Sequence, residues 1–325
     1  MDNYEVLEHK VMTELVNKFP MPIMMGAKYF PTPPSALILG QTAEWDTLQK
    51  GRNMANYVPK DGEANIARRM VIKNNSFTVA FKKEKKMIEG STMALLRAPG
   101  TKSQQYGAQA VVDELEDLFR MIQNRNEWEN WQALGGTLTV SQDNGVKFTI
   151  SYSIDATHTP TVTKSWADTN ADIISNVKTW KRLIEQDSGE VAVECVVKDE
   201  VMEAMIKNIG IQKFMGDALK TQVGATGRIT RFMDLDWSVY NAGYVPIGGS
   251  FTPFLGTTKM FMATAPTFGK RIIGASLDPK SGFKPGRFSK SWTEEDPANT
   301  FVLVEENSLP CLQKVENIVM ATVII

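Results

Sequence analysis

The sequence predicts an α+β fold: one long helix serves as a spine, a long β-hairpin excursion precedes it, and an α/β domain is inserted after it. Three observations carry this. Residues 103–134 read as one unbroken helical stretch stopped by Gly135-Gly136. Apolar residues alternate on either side of it, as Met70 and Ile72, then Phe77, Val79 and Phe81 before, and as Leu138 and Val140, then Phe148, Ile150, Tyr152 and Ile154 after. From about residue 157 the pattern changes to helices alternating with strands.

Composition narrows the class. The chain has 325 residues, 42% hydrophobic and 22% charged, an ordinary globular composition with length for two domains or one elaborated domain. Lys plus Arg number 36 against 37 for Asp plus Glu, a net charge of -1, so no global basic field exists to draw in nucleic acid. The start, MDNYEVLEHK, carries acids and no apolar centre, unlike a signal peptide. No apolar run approaches a membrane span, so no membrane partner is expected.

Chemistry-bearing residues are sparse. Cys195 and Cys311 sit among apolar neighbours and read as buried free thiols. His9 and His158 are the only histidines, and neither lies near a Cys/His cluster or a nucleophile elbow. Gly224-Ala225-Thr226-Gly227-Arg228 and Gly248-Gly249-Ser250 match neither phosphate-binding pattern and read as loop glycines. No catalytic residue, metal or cofactor is expected.

In chain order, Val6, Leu7, Val11, Leu15 and Val16 mark one face of a first helix. KFPMPIMMGAKYFPTPPSA follows, too rich in proline for a long helix and too apolar for a free linker, so it reads as an extended arm lying on its own surface or a neighbour's. Leu37 to Leu39 is a short strand, followed by polar chain and a turn at Lys60-Asp61-Gly62-Glu63. Arg68 to Glu89 reads as the two-stranded excursion, with its turn at Asn74-Asn75 and basic ends formed by Arg68, Arg69, Lys82, Lys83, Lys85 and Lys86. A ribbon of two strands has too little core to stand alone, so it is expected to lean on a neighbouring subunit; edge protection by charge is the other reading of its lysines.

In the spine helix, Ala108, Val111, Val112, Leu115, Leu118, Phe119 and Ile122 form an apolar stripe, Ser103 is the expected N-cap, and the length is roughly 45 Å. Asp113, Glu114, Glu116, Asp117, Arg120, Arg125, Glu127 and Glu129 lie opposite, either a solvated face or a docking face for another subunit. A hairpin turning at Gln142-Asp143-Asn144-Gly145 comes next. Asp168 or Thr169 is the expected cap of a helix bearing Ile173, Val177, Trp180 and Ile184, stopped at Gly189. Val191 to Val197, Ile229 to Asp236, Ser238 to Tyr240, Lys259 to Ala263 and Lys270 to Ile273 read as strands, with two helical fragments between the first two and an exposed loop, AGYVPIGGSFTPFLG, before Lys259. Phe301 to Glu305 is a strand, Asn307-Ser308 leads into SLPCLQ, and Ile318 to Ile325 is a final strand that must join an existing sheet.

This order of parts resembles the major capsid proteins of tailed double-stranded DNA phages, the Hong Kong 97-like fold, and within it the lambda-type branch. The residues that carry the resemblance are NMANYVP at Asn53 to Pro59, GYVP…PFLG…K at Gly243 to Lys259, and KSW…DPAN…F followed by NSLPCL and ENIVMATV. The order covers essentially the whole chain; the residue-level match lies mostly in the last third.

The resemblance implies a self-assembling head protein whose icosahedral shell encloses DNA without sequence-specific binding. Residues 1–36 would be an N-terminal arm, 37–95 the extended loop that overlaps the next subunit, 96–155 plus 281–325 the peripheral domain with spine helix and terminal strand, and 156–280 the axial domain. It implies homo-oligomers, pentamers and hexamers, with separate scaffold and portal proteins and decoration proteins as further partners. The scaffold is expected to be separate because no long helical segment precedes the arm. Localisation would be the virion, and host cytoplasm during assembly. Some members join subunits by a Lys–Asn bond; the sequence offers Lys82 to Lys86 but no identifiable partner, and the lambda-type resemblance argues against it. The basic ends of the excursion are expected to face Glu114, Glu116 and Asp117, and Glu294, Glu295 and Asp296, on a neighbouring subunit. An encapsulin-like nanocompartment shell is the alternative, and an α/β hydrolase or transferase a weaker one for want of a catalytic constellation.

Overall fold

A computed structural model describes residues 5–22, 24–49, 54–64, 66, 71–96, 101–141, 145–246, 248–265, 267–295 and 298–325. In chain order the helices are α1 (His9–Lys18), α2 (Met25–Tyr29), α3 (Gly90–Leu96), α4 (Lys102–Leu134), α5 (Ile173–Ser188), α6 (Asp199–Lys207), α7 (Ile209–Phe214) and α8 (Asp217–Thr226). The strands are β1 (Thr42–Gln49), β2 (Val71–Thr78), β3 (Ala80–Ile88), β4 (Thr137–Ser141), β5 (Lys147–Ser151), β6 (Glu194–Val197), β7 (Arg231–Phe232), β8 (Leu235–Val239), β9 (Gly243–Tyr244), β10 (Thr252–Pro253), β11 (Lys259–Ala263), β12 (Gly269–Ile273), β13 (Phe288–Glu295), β14 (Ala298–Leu312) and β15 (Ile318–Thr322). They divide into two units: Met1–Glu44 with Ser76–Glu129 and Lys270–Cys311, and Trp45–Asn75 with Asn130–Gly269 and Leu312–Ile325.

The first unit is built on β14. This strand pairs antiparallel with β13 on one side and β3 on the other, and β12 completes the sheet. Val302, Val304 and Ile88 share a core with Val111, Leu115, Leu118, Phe119 and Ile122 of α4 and with Met12 and Val16 of α1. The apolar stripe predicted for the long helix is thus its core-facing side. α1 lies along β13, where the Thr13 hydroxyl donates to the Ser289 carbonyl and accepts from the Ser289 N–H, both at 3.1 Å. The arm that follows contains the single turn α2 and lies on its own chain: Tyr29, Phe30 and Ala36 are buried.

In the second unit a five-stranded sheet runs β15-β11-β6-β8-β7, with β6 and β8 parallel and the other pairs antiparallel. Its core gathers Val177 and Ile184 of α5, Met202 and Met205 of α6, and Met260, Met262, Val319 and Ala321 of the sheet, beside a stacked pair, Trp166 and Trp180, 5.8 Å apart. The hairpin β4–β5 and the pair β1–β2 also belong to this unit for most of their length, and the Trp45 and Tyr152 rings meet at 6.1 Å.

Several expectations are corrected. The excursion is not a hairpin of residues 68–89. β2 runs straight through Asn74-Asn75 and pairs with β1, and β3 pairs with β14. The asparagines fail as a turn because their side chains reach across: Asn75 Nδ2 donates to Thr47 Oγ1 at 2.9 Å and Asn74 Nδ2 to Asp46 Oδ1 at 3.1 Å. Between β1 and β2, the described residues 54–64 and 66 include a turn at Gly62, whose N–H donates to the Pro59 carbonyl. β12, expected in the α/β domain, joins β14 instead, whereas the terminal strand β15, which the resemblance put in one domain with the long helix, pairs with β11. The turn that the resemblance implies at SLPCLQ is not formed there; β14 continues through Leu312.

Local details shift by a residue or two. Thr101 Oγ1, not Ser103, accepts an N–H in the first turn of α4, and Asp172, not Asp168 or Thr169, caps α5 through the Ser175 N–H at 3.0 Å. The stretch 229–236 bends at Met233-Asp234, both with positive φ, so β7 and β8 are two strands. Gly136 ends α4 at φ +92, a left-handed geometry that other residues resist. The predicted hairpin turn at 142–144 lies outside the described residues.

Candidate assembly interface

The residues expected to join subunits converge on β3, which lies beside β14 and packs against α4. The register sets Lys82 opposite Glu306 and Lys83 opposite Glu305. Alternation along a strand sends Lys82 and Lys86 to one face and Lys83 and Lys85 to the other.

Lys82 is only 8% exposed. Its Nζ donates to Asn126 Oδ1 at 2.7 Å, Glu129 Oε2 at 2.8 Å, the Ser308 carbonyl at 3.1 Å and Ser308 Oγ at 2.8 Å. Arg271 Nη1 donates to the same Asn126 Oδ1, Glu129 Oε2 and Ser308 Oγ, each at 3.0 Å, and its Nη2 to the Asn126 carbonyl at 2.8 Å. Glu306 accepts from Asn126 Nδ2 at 2.7 Å, Ser308 Oγ at 2.8 Å and Arg287 Nε at 2.7 Å. The result is a buried charge network tying β3, α4, β12 and β14 of the first unit. Burial pushes the Lys82 ammonium down to about 8, against the pull of Glu129. Burial alone would raise the Glu306 carboxyl, but Arg287, Lys82 and Arg271 together outweigh it and hold the group at about 2.

On the same face Lys86 donates to Glu114 Oε2 at 2.6 Å and to Asp117. On the other, Lys83 pairs with Glu305 at 2.9 Å, and the Lys85 ammonium lies 4.8 Å from the Phe301 ring centre, over a stacked Trp292–Phe301 pair. The acidic partners expected on a neighbouring subunit are therefore found within the same chain for Lys86, and Lys82 and Lys83 are likewise engaged there. The reason is the strand pairing: once β3 is set against β14 and across α4, its inward lysines meet the acids of the helix. Glu116 pairs with Arg120 at 2.7 Å, and Glu294 and Glu295 are exposed at the end of β13. Arg68, Arg69 and Asp296 lie outside the described residues.

Sequence reasoning placed Glu127 and Glu129 on a charged, open face, yet they are 1% and 2% exposed. It singled out neither Arg271, Glu306, Asn126 nor Ser308. One signal was present: the apolar stripe changes face after Ile122, and a helix end flanked by Trp128 and Trp131 is buried widely enough that charges there need partners.

The network's groups are held by mutual ion pairs and hydrogen bonds, an arrangement that braces strands on a helix. Burial raises both thiols, Cys311 to about 12 and Cys195 well above its ordinary range, which keeps them unreactive. Among the described residues no group of three or more His, Cys, Asp or Glu could hold a metal ion, and no helix is long and apolar enough to cross a membrane.

The fold is shared with solved structures. A protein described as a prophage capsid protein, from Escherichia coli CFT073, superposes with a TM-score of 0.66 at 15% identity, over 98% of this chain and 99% of that one. A phage-related protein of Bordetella bronchiseptica RB50 gives 0.59 at 12% identity, over 97% of each chain. The mature capsid subunit of bacteriophage PhiM1 gives 0.52 at 9% identity, over 94% of this chain and 88% of that one. No curated protein sequence matches. The architecture is the Hong Kong 97-like capsid fold. The family model for phage major capsid protein E matches residues 9–323, and the chain belongs to that family. It is a capsid shell protein.

Proposed function

We propose that this chain forms the phage head as rings of five and six copies that close around double-stranded DNA. The observation that carries the reading is the family match over residues 9–323. The segment between β1 and β2 supports it: Met54, Tyr57 and Ile66 are 89%, 105% and 100% exposed, and bare apolar side chains favour a neighbouring copy as their cover. With Lys82, Lys83 and Lys86 engaged in their own chain, the charged contacts between copies fall to Arg68 and Arg69 on one side and Glu116, Glu294, Glu295 and Asp296 on the other, Glu114 and Asp117 being shared with Lys86. Such pairs choose partner and register more than they add affinity.

The net charge of -1 supports DNA that is enclosed without being read. Scaffold, portal and decoration functions belong in this reading to separate proteins, and assembly takes place in the host cytoplasm before the shell becomes part of the virion. Negative-stain electron microscopy of the purified protein tests it. Closed shells are expected, alone or with a scaffold; monomers under all salt, crowding and scaffold conditions would overturn it.

A further inference from the structure

Lys82 Nζ faces more acceptors than one protonation state can use. A protonated amine has three N–H bonds to give, and Asn126 Oδ1, Glu129 Oε2, the Ser308 carbonyl and Ser308 Oγ all lie within 3.1 Å. In that state the Ser308 hydroxyl points its own hydrogen at Glu306 Oε1, 2.8 Å away. A neutral amine has two N–H bonds and one lone pair. The Ser308 hydroxyl, 2.8 Å from Nζ, needs only to rotate to donate to that lone pair, while its oxygen still accepts from Arg271 Nη1 at 3.0 Å. Glu306 then keeps Asn126 Nδ2 and Arg287 Nε, and Glu129 keeps Arg271. In both states every hydrogen on Nζ and on the Ser308 hydroxyl has a partner, with every heavy atom in place.

We propose that Lys82 and Ser308 form a proton switch in the core of the first unit, in which Nζ releases its third proton to solvent and the Ser308 hydroxyl turns from Glu306 to the amine. The charged groups facing Nζ are Glu129 from α4, Arg271 from β12 and Glu306 from β14; Arg287 acts through Glu306. Burial is the strongest influence and favours the neutral amine, Arg271 adds to it, and the two glutamates oppose it.

The direction of the pH effect follows. The folded group releases its proton at about 8, below the ordinary lysine value of 10.5. Between those values the unfolded chain binds more protons than the folded one, so stability rises with pH across the window. Cys311, which burial holds protonated up to about 12 against an ordinary 9.0, works in the opposite sense at higher pH, so the measurement stops at pH 9.

The test is urea unfolding at pH 7 and pH 9 of the wild-type chain, Lys82→Met, Lys82→Arg and Ser308→Ala. The wild-type folding equilibrium constant should rise about tenfold over that interval relative to either Lys82 variant, and Ser308→Ala should keep only part of the rise. Should the variants not fold, the wild-type protein decides alone: the lysine 13Cε resonances should show one side chain titrating near pH 8, well apart from the rest. Equal pH dependence in wild type and Lys82 variants, or lysine signals that all titrate together, would overturn the switch.

Discussion

The carboxylate of Glu127, in the buried half of α4, accepts the backbone N–H of Gly26 at 2.7 Å, and its second oxygen accepts that of Ala27 at 3.0 Å. One side chain thereby anchors the N-terminal arm a hundred residues upstream. Hydrogen bonds to charged groups contribute about 1.5–3 kcal/mol each. Glu127→Ala should therefore lower stability by roughly 3 kcal/mol or more and open the segment around α2 to protease. Limited proteolysis followed by mass analysis checks this; an arm as resistant as wild type would show that the anchor lies elsewhere.

Reversing the charge of Lys82 should destroy the fold of the first unit, because a carboxylate would be buried against Glu129 and Glu306. The expected loss is about 3–5 kcal/mol, the range for breaking a buried ion pair. Glu294→Lys with Glu295→Lys, on exposed positions, should leave the monomer folded and change only assembly. Circular dichroism and light scattering on the two variants separate the cases. A folded Lys82→Glu monomer would mean that the network is not a brace.

Glu306 gives an acid limit. Its folded value of about 2 lies below the ordinary 4.5, so its stabilisation is fully present above pH 4.5 and is lost as pH falls towards 2. The amount at stake is roughly 3 kcal/mol. Urea midpoints between pH 6 and pH 2.5 should fall more steeply for wild type than for Glu306→Gln; parallel curves would remove Glu306 as the cause.

Gly136→Ala should cost about 1–2 kcal/mol, since φ +92 is unfavourable for a residue with a Cβ. The added Cβ would also meet Ile154 at 3.4 Å, an ordinary contact, so backbone strain and not crowding is the source. Thermal unfolding provides the measurement, and an unchanged midpoint would contradict it.

What was legible in the sequence was local. The long helix was read as residues 103–134 and runs from Lys102 to Leu134, and Lys259 to Ala263 was read as a strand and is β11, because periodicity and glycine stops act within a few residues of the chain. The partners of strands were not legible. Nothing near Phe77 or Phe81 says that β2 goes to β1 while β3 goes to β14, and nothing near Ile273 says that β12 leaves the α/β sheet. The same limit hid the charge network: Lys82 reads as one of a basic run until Arg271, Glu129 and Glu306 are brought to it from three other segments. The capsid resemblance was recognisable because it rests on the order of parts and on short local motifs, which survive without knowledge of pairing.

The β3–β14 register joins residues more than two hundred positions apart. During synthesis β3 therefore waits, without its strand partner, for most of the chain to be made. Distant pairings of this kind close slowly. An apolar strand left open for that interval would recruit strands from other nascent chains. Lys82, Lys83, Lys85 and Lys86 make β3 a poor template for such pairing, so the charges that later brace the mature core also act as gatekeepers while the polypeptide is still incomplete.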